Sequence, residues 1–389
     1  MNKKKDINNK INLGILLRHP MWYQTPILRV LSNNPNICLT VLFEKGIAKE
    51  EEIKNNPYMN GYNYEFLDKK NNLINLFFSC ITTNIKLVKT IKEKKLDVLW
   101  IHGWQNSTNL FIIFFSRILD IHILIRGDSN VLNKDSLLKR ELKKLLLKPF
   151  FKLVSGFIAI GRQNIIFYKS HHIPDNKIFF IPMSIDINYF LTKAKELIPK
   201  KNELKTLLGF TNETKIVLYC GRIVKEKNPV GLINAYKEIS KNTNSALIFV
   251  GNGPLRNELE ADYRNLNVQF VGYKNPEEHC SYYVIADIFV LPSTHEPWGR
   301  VINEALCFSL PIIVSDRVGA GVDLVKQGIN GYIYNLKDTK ELTNYLSDLL
   351  SNENKRVQMG NQSLKIINDW SAINWQDKFV KFLKSATRN

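Results

Sequence analysis

Along most of the chain, short apolar runs alternate with stretches whose apolar positions recur at helical spacing. In the first half, the runs at 13–17, 37–42, 98–102, 122–125, 157–160 and 177–181 read as strands, with helices at 25–31, 85–94 and 137–147 among them. In the second half, strands are predicted at 215–219, 246–250, 268–271, 288–291, 311–314 and 331–334, again separated by helix-like stretches. These runs are continuously apolar rather than alternating, which predicts parallel sheets covered by helices on both faces. The pattern restarts after a polar, helix-prone connection at 186–207. The expectation is an α/β chain of two doubly wound, Rossmann-like domains, 1–190 and 208–370. A C-terminal helix within 371–389 is expected to pack back toward the first domain. Such sheets bind ligands beyond the carboxyl ends of their strands, so two domains facing a central cleft would hold the site there.

Composition narrows the class. Hydrophobic residues make up 44% and charged residues 23% of the 389 positions, which excludes a mainly disordered chain, a collagen-like repeat and a small disulfide-stapled scaffold. The five cysteines (Cys38, Cys80, Cys220, Cys280 and Cys307) are odd in number and include no C-x-x-C pair. They predict neither a zinc site nor a disulfide framework, and fit a reducing compartment. The most apolar stretch, 110–125, is broken by Ser116, Arg117, Asp120 and His122, so no spanning helix is predicted. The run at 11–17 closes on Arg18 and reads as a first strand rather than a signal peptide. The location expected from these features is cytoplasmic.

Chemistry concentrates in the second half. A strand ends at Leu291, a loop carries Thr294, His295 and Glu296, and Pro297 announces a helix that runs through Val301 and Glu304. The first amides of that helix, near Gly299, Arg300 and Val301, suit an anion, and Gly299 lets a phosphate approach the backbone. Glu296 and Glu304 flank this point with the spacing Glu-x7-Glu. Upstream, the strand at 215–219 leads into Gly221, Arg222 and Lys227, two cations five residues apart that match a pyrophosphate. The strand at 246–250 ends in a glycine-rich turn, Gly251-Asn252-Gly253-Pro254. A dinucleotide reading of that turn fails, because Arg256 stands where the last glycine belongs.

Taken together in this order and spacing, G-R-x4-K at Gly221, Arg222 and Lys227, the VGNGP turn, EPWGRVINEA, SDRVGAGVDLV and GINGYIY resemble the donor domain of glycosyltransferase family 4, the retaining GT-B enzymes. The resemblance covers roughly 120 residues, 215–335. It implies a GT-B fold and a nucleotide-sugar donor, a UDP-sugar first and a GDP-sugar second. Arg222 and Lys227 would hold the pyrophosphate, with the amides of Gly299, Arg300 and Val301 assisting and Gly251 and Gly253 in the adjoining turn. Glu304 would bind the ribose, and Glu296 the hydroxyls of the transferred sugar. No D-x-D triplet occurs, so neither a metal nor a cofactor is expected. The acceptor would attack from the face the leaving group departs, with the departing phosphate as base. His102 sits where a family histidine touches the donor sugar. Tyr23 and Gln24, after the first strand, and Arg126 and Asp128, after the strand at 122–125, are the acceptor-side residues. The glycine pair that many relatives carry near Tyr23 is absent here.

Charge adds a partner. Residues 1–200 carry 31 Lys and Arg against 16 Asp and Glu, whereas residues 201–389 carry 23 against 20. Within 136–153, six Lys or Arg face a single Glu, with Leu and Phe on one helical face, the signature of a helix on an anionic membrane. A solvated basic face or composition bias accounts for the same residues. The function expected is transfer of a sugar to a saccharide or lipid-linked saccharide in surface polysaccharide, lipopolysaccharide or glycolipid synthesis, at the inner membrane face. The alternatives are an enzyme that glycosylates nucleic acid, for which no base-stacking or groove-reading element is found, and a non-catalytic GT-B binding module.

Overall fold

A computed structural model describes residues 10–44, 59–67, 76–132, 137–183, 185–371 and 373–387. The chain divides into two compact units. Unit 1 comprises Met1–Ser129, Lys134–Pro182 and Asn374–Asn389, and unit 2 comprises Asn130–Asn133 and Met183–Ile373.

Among the described residues, unit 1 is built on seven parallel strands: β1 (Ile11–Leu17), β2 (Ile37–Phe43), β3 (Tyr64–Phe66), β4 (Val98–His102), β5 (His122–Arg126), β6 (Gly156–Ala159) and β7 (Ile178–Phe180), in the order β3-β2-β1-β4-β5-β6-β7. Apolar clusters fill both faces, one around Leu13, Ile15, Val41 and Trp100, the other around Leu99, Ile123, Phe157 and Tyr168. That two-sided burial is why the strands read as unbroken apolar runs. Strand β3 is an addition to the sequence reading. It is only three residues long and half-buried, too short to carry a pattern, and it is held by pairing with β2 and by Phe43 against the Tyr64 and Phe66 rings.

The helix Gln376–Ala386 lies in unit 1, with Phe379 and Leu383 fully buried in its core. Its Phe382 packs over β6 at Gly156, where an added Cβ would come within 2.6 Å of the Phe382 ring. The preceding helix, Glu353–Ser371, belongs to unit 2. Ser371 closes that helix, and the last one begins at Gln376.

Unit 2 carries six parallel strands: β8 (Lys215–Cys220), β9 (Ser245–Val250), β10 (Val268–Gly272), β11 (Ile288–Leu291), β12 (Ile312–Ser315) and β13 (Gly331–Tyr334), in the order β10-β9-β8-β11-β12-β13. The connection at 186–207 forms two helices, Ile187–Leu197 and Lys201–Leu207, which pack on the helix Pro276–Ile285 within unit 2. A buried lysine fixes the second of them. Lys205 is 1% exposed, and its Nζ donates to the Thr214 carbonyl at 2.6 Å and pairs with Asp287 at 3.5 Å. Asp287 also accepts from Lys201 at 3.1 Å and from the Ile216 amide at 2.8 Å, so the group ties helix, β8 and the start of β11 together. Removing one member of a buried pair leaves an uncompensated charge. Lys205→Ala should therefore cost about 3 kcal/mol, read as a lower urea midpoint for unit 2. A midpoint equal to wild type would show that Lys201 alone suffices for Asp287.

Candidate active site

In both sheets the strand order reverses beside the first strand, between β1 and β4 and between β8 and β11. Crossovers leave on opposite faces at such a point, so the loops after the two strands diverge and open a crevice at their carboxyl ends. In unit 2 that crevice receives the loop 221–228 after β8 and the loop 292–299 after β11.

Backbone hydrogen bonds fasten these two loops to each other. Thr294 N and His295 N both donate to the Glu226 carbonyl, at 2.8 and 3.3 Å, and Asn228 Nδ2 donates to the Pro292 carbonyl at 3.2 Å. Asn228 adopts the left-handed conformation (φ 53°) and caps the helix Pro229–Ser240. The ammonium of Lys227 donates to the Glu296 carboxylate, so two site residues 69 positions apart in sequence meet as an ion pair. The sequence reading gave them separate ligands. The structure adds that each is the other's counterion. Arg222 stands exposed on the same loop, and no ion pair to its guanidinium is found among the described residues.

Two glycine motifs are explained by close packing. A Cβ on Gly251 would lie 1.9 Å from the Gly221 carbonyl oxygen, and one on Gly253 would lie 2.2 Å from that of Ile223. The turn after β9 thus lies flat against the loop carrying Arg222, with Ile223 N donating to Asn252 O at 2.9 Å. Likewise, the Gly319 Cβ position falls 2.0 Å from the Pro297 carbonyl, where Gly319 N donates to Glu296 O at 3.0 Å. Asn130 Nδ2, in unit 2's short outlying segment, donates to that same Pro297 carbonyl at 3.1 Å. These contacts set where Arg222 and Glu296 stand.

The helix Arg300–Cys307 follows Gly299, which has φ 98° and offers no side-chain cap. Its first amides have no intrahelical partner, so its start is suited to an anion. Glu304, on the same helix, is 4% exposed and accepts from the Tyr283 hydroxyl at 2.8 Å. Burial pushes its pKa up to about 7 against the pull of Tyr283 and Arg300. Sequence reasoning missed Tyr283, since nothing distinguishes it from the adjacent Tyr282 among the apolar positions of the helix Pro276–Ile285. It also missed Asn303, which accepts from the Trp298 indole at 3.0 Å while Trp298 stacks on Trp370. Two buried polar atoms beside β11, Ser293 Oγ and His295 Nδ1, make no hydrogen bond among the described residues.

Unit 1 gathers its own group at carboxyl ends. His102 closes β4 and pairs in register with Arg126, which closes β5. The His102 ring stacks on Trp100 (5.9 Å, 10° between planes), and the Arg126 guanidinium lies 5.6 Å from the centre of the same indole. Burial first, then the Arg126 charge, lowers the His102 pKa to about 3, so the imidazole is neutral throughout the physiological range. Burial also brings Arg126 down to about 10, while Tyr23 lies near enough to raise it. Gln24 follows Tyr23 in the same short helical turn, with its Oε1 buried and unbonded. Asp128 is exposed. Among the described residues no cluster of His, Cys, Asp and Glu suits a metal ion. Cys38, Cys220, Cys280 and Cys307 are free thiols, and the Cys80 side chain lies outside the described part.

Comparison with known proteins accords with this geometry. Residues 200–365 match the family model for glycosyl transferases group 1. The alpha-monoglucosyldiacylglycerol synthase of Acholeplasma laidlawii is 32% identical over 295 residues, 69% of this chain and 70% of that protein. The chain belongs to the group 1 glycosyltransferases. The UDP-Gal:alpha-D-GlcNAc-diphosphoundecaprenol alpha-1,3-galactosyltransferase of Escherichia coli is 26% identical over 308 residues, covering 76% of each chain. Other curated relatives are matched over about half of their length, 46% and 48%. Among solved structures, Anabaena HepE in complex with UDP and glucose superimposes with a TM-score of 0.72 at 17% identity, covering 96% of this chain and all of that one. The fold is GT-B, and the relatives of this group 1 glycosyltransferase serve capsule, lipid-linked oligosaccharide and glycolipid synthesis.

The elevated pKa of Glu304 has a measurable consequence. Its folded value lies above the ordinary 4.5, so its contribution to stability is full below pH 4.5 and is lost as pH rises through 7, where burial penalises the carboxylate. The difference amounts to roughly 3 kcal/mol above neutrality. Glu304→Gln should flatten the decline of Tm between pH 5 and pH 8 and raise Tm at pH 8. An unchanged slope in calorimetry would remove Glu304 as its source.

Proposed function

We propose that this glycosyltransferase moves a sugar from a nucleotide-sugar, a UDP-sugar first and a GDP-sugar second, to a saccharide or lipid-linked acceptor. The observation that carries the proposal is the convergence of Arg222, Lys227, Glu296 and the start of the helix Arg300–Cys307 on the crevice between β8 and β11. A diphosphate there would draw Lys227 from Glu296 and meet Arg222, with the amides of Gly299, Arg300 and Val301 on its other side. The freed Glu296 carboxylate would then accept hydrogen bonds from the sugar hydroxyls, so that donor binding itself prepares the residue that orients the sugar. Glu304 would receive the ribose hydroxyls.

Neutralisation by two cations and helix amides supplies what a metal supplies elsewhere, and we assign no metal and no resident cofactor to the reaction. We also assign retention of anomeric configuration, as in family 4, with the departing phosphate taking the acceptor proton. His102, neutral at working pH, would act as a hydrogen-bonding group toward the sugar rather than as a charge. Tyr23, Gln24, Arg126 and Asp128 are assigned to the acceptor. The Escherichia coli relative is named for a diphosphoundecaprenol acceptor and the Acholeplasma laidlawii relative for a diacylglycerol product. Either points to an acceptor anchored in lipid, met at the inner membrane face. Among the described residues no helix is long and apolar enough to cross a membrane.

The test is nucleotide release across UDP- and GDP-sugars with detergent-solubilised lipid acceptors. One sugar should support turnover, insensitive to chelator, and Arg222→Ala and Lys227→Ala should each lower kcat by about a hundredfold or more. Glu296→Ala should reduce kcat far more than it raises the Kd for the donor. Full activity in the Arg222 and Lys227 variants would overturn the diphosphate assignment. Inversion at the anomeric carbon, read by NMR of the product, would overturn retention.

A further inference from the structure

The helix Leu137–Leu153 is apolar on two opposite sides. Its inward side buries Leu147 and Phe151 in the core of unit 1. Its outward side carries Leu142, Leu145 and Leu146, which are 57%, 69% and 59% exposed. Positions 145 and 146 each stand one helical turn from 142 and share its side of the helix, and Lys143, Lys148 and Lys152 fall to either side of them. The neighbouring helix, Ser107–Phe115, extends the apolar surface with Phe114, whose ring meets Phe150 at 5.1 Å, and the turn beyond it adds Ile118, 78% exposed. A solvated basic face would not carry its leucines outward. An apolar ridge between lysines is how a helix seats in the boundary of an anionic bilayer, stems buried and ammonium groups at the headgroups.

A cavity of about 510 Å³ opens where these two helices end. Arg117, Lys152 and Lys177 line it with His122, against a single acid, Asp120, and Phe382 forms one wall. Lys177 Nζ is held toward it by the Val154 carbonyl at 3.3 Å, and His122 Nδ1 lies 3.2 Å from Ser155 Oγ. His122 begins β5, whereas Arg126 ends it. The cavity is therefore at the amino edge of the sheet, roughly 13 Å along the strand from the group around His102. Nothing in the sugar-transfer reading uses it.

We propose that this face docks unit 1 on an anionic bilayer, with the leucine ridge in the acyl boundary and the cavity holding the phosphodiester headgroup of a phospholipid. Charge decides the occupant: three cations and an imidazole around one carboxylate match a phosphate, and the apolar ridge beside them matches the chain attached to it. A free phosphate would need the cavity but not the ridge.

The full-length protein is sedimented with vesicles containing phosphatidylglycerol and with vesicles of phosphatidylcholine alone, in the absence of donor, so failure of the transferase reading would not affect the outcome. Wild type should pellet only with the anionic vesicles. Leu145→Gln with Leu146→Gln, and separately Arg117→Ala with Lys152→Ala, should each reduce the pelleted fraction about tenfold. Lys237→Ala with Lys241→Ala, an equal charge change on unit 2, should leave it near wild type, and circular dichroism should show all variants folded. Pelleting of the Arg117/Lys152 variant like wild type would overturn the headgroup site. Equal loss in the unit 2 control would reduce the effect to net charge. Thermal stabilisation by glycerol phosphate without vesicles, abolished by Arg117→Ala, would assign the cavity to a free phosphate instead. Concentration-dependent dimers lost in the Leu145/Leu146 variant would assign the ridge to a second copy of the chain.

Discussion

Parallel strands cannot be joined by tight turns, and this restriction governs the molecule. Every connection must cross back over a face of its sheet, so every loop that follows a strand emerges at the same edge. Among the described residues, thirteen strands in two sheets obey it. Reversal of strand order beside β8 then parts two of those loops, and the crevice they leave collects residues scattered between Arg222 and Glu304. The chemistry is a by-product of how the sheet is wound. Local detail seats each of the two loops against its outer neighbour, which explains why Gly251, Gly253 and Gly319 lie where side chains would force those neighbours away.

Charge within this frame is arranged in two ways. Lys205 and Asp287 are satisfied on every side and hold elements together. Among the described residues, the Lys227 ammonium and the Glu296 carboxylate satisfy only each other, at a place where the first helical turn adds positive potential. A pair of the first kind resists exchange. The second kind is open to it, because a dianionic ligand offers Lys227 a stronger partner while leaving Glu296 something to bind. Glu304 differs again: it is held near neutrality by burial, with one hydroxyl in support, so its charge state depends on what approaches it.

Most of the fold was legible because burial on both faces writes strands as apolar runs. Twelve of the thirteen strands of the described residues lie within two residues of the runs that predict them. The exception is β3, whose three residues depend on the rings of β2 rather than on a pattern of their own. Site residues were legible where motifs carried them, as with Arg222, Lys227 and Glu304. Partners that act from another element were not. Tyr283 reaches Glu304 from a helix begun 28 residues earlier, and nothing local marks it. The ion pair of Lys227 with Glu296 likewise spans a separation that spacing cannot express. The same holds for the outward leucines at 142, 145 and 146, since sequence reveals an amphipathic helix without saying which side the core takes.

The helix Gln376–Ala386 makes unit 1 discontinuous in time as well as in sequence. Phe379 and Leu383 complete a core whose strands were synthesised long before. At usual elongation rates the ribosome needs roughly 10 to 40 s to make the 191 residues from Met183 to Ile373. During that interval unit 2 can finish folding, whereas Trp100 and Gly156 wait for the rings that will cover them. The unit begun first is thus the last to close, and the shelf bearing His102 and Arg126 gains its underside only once Gln376–Ala386 has been made.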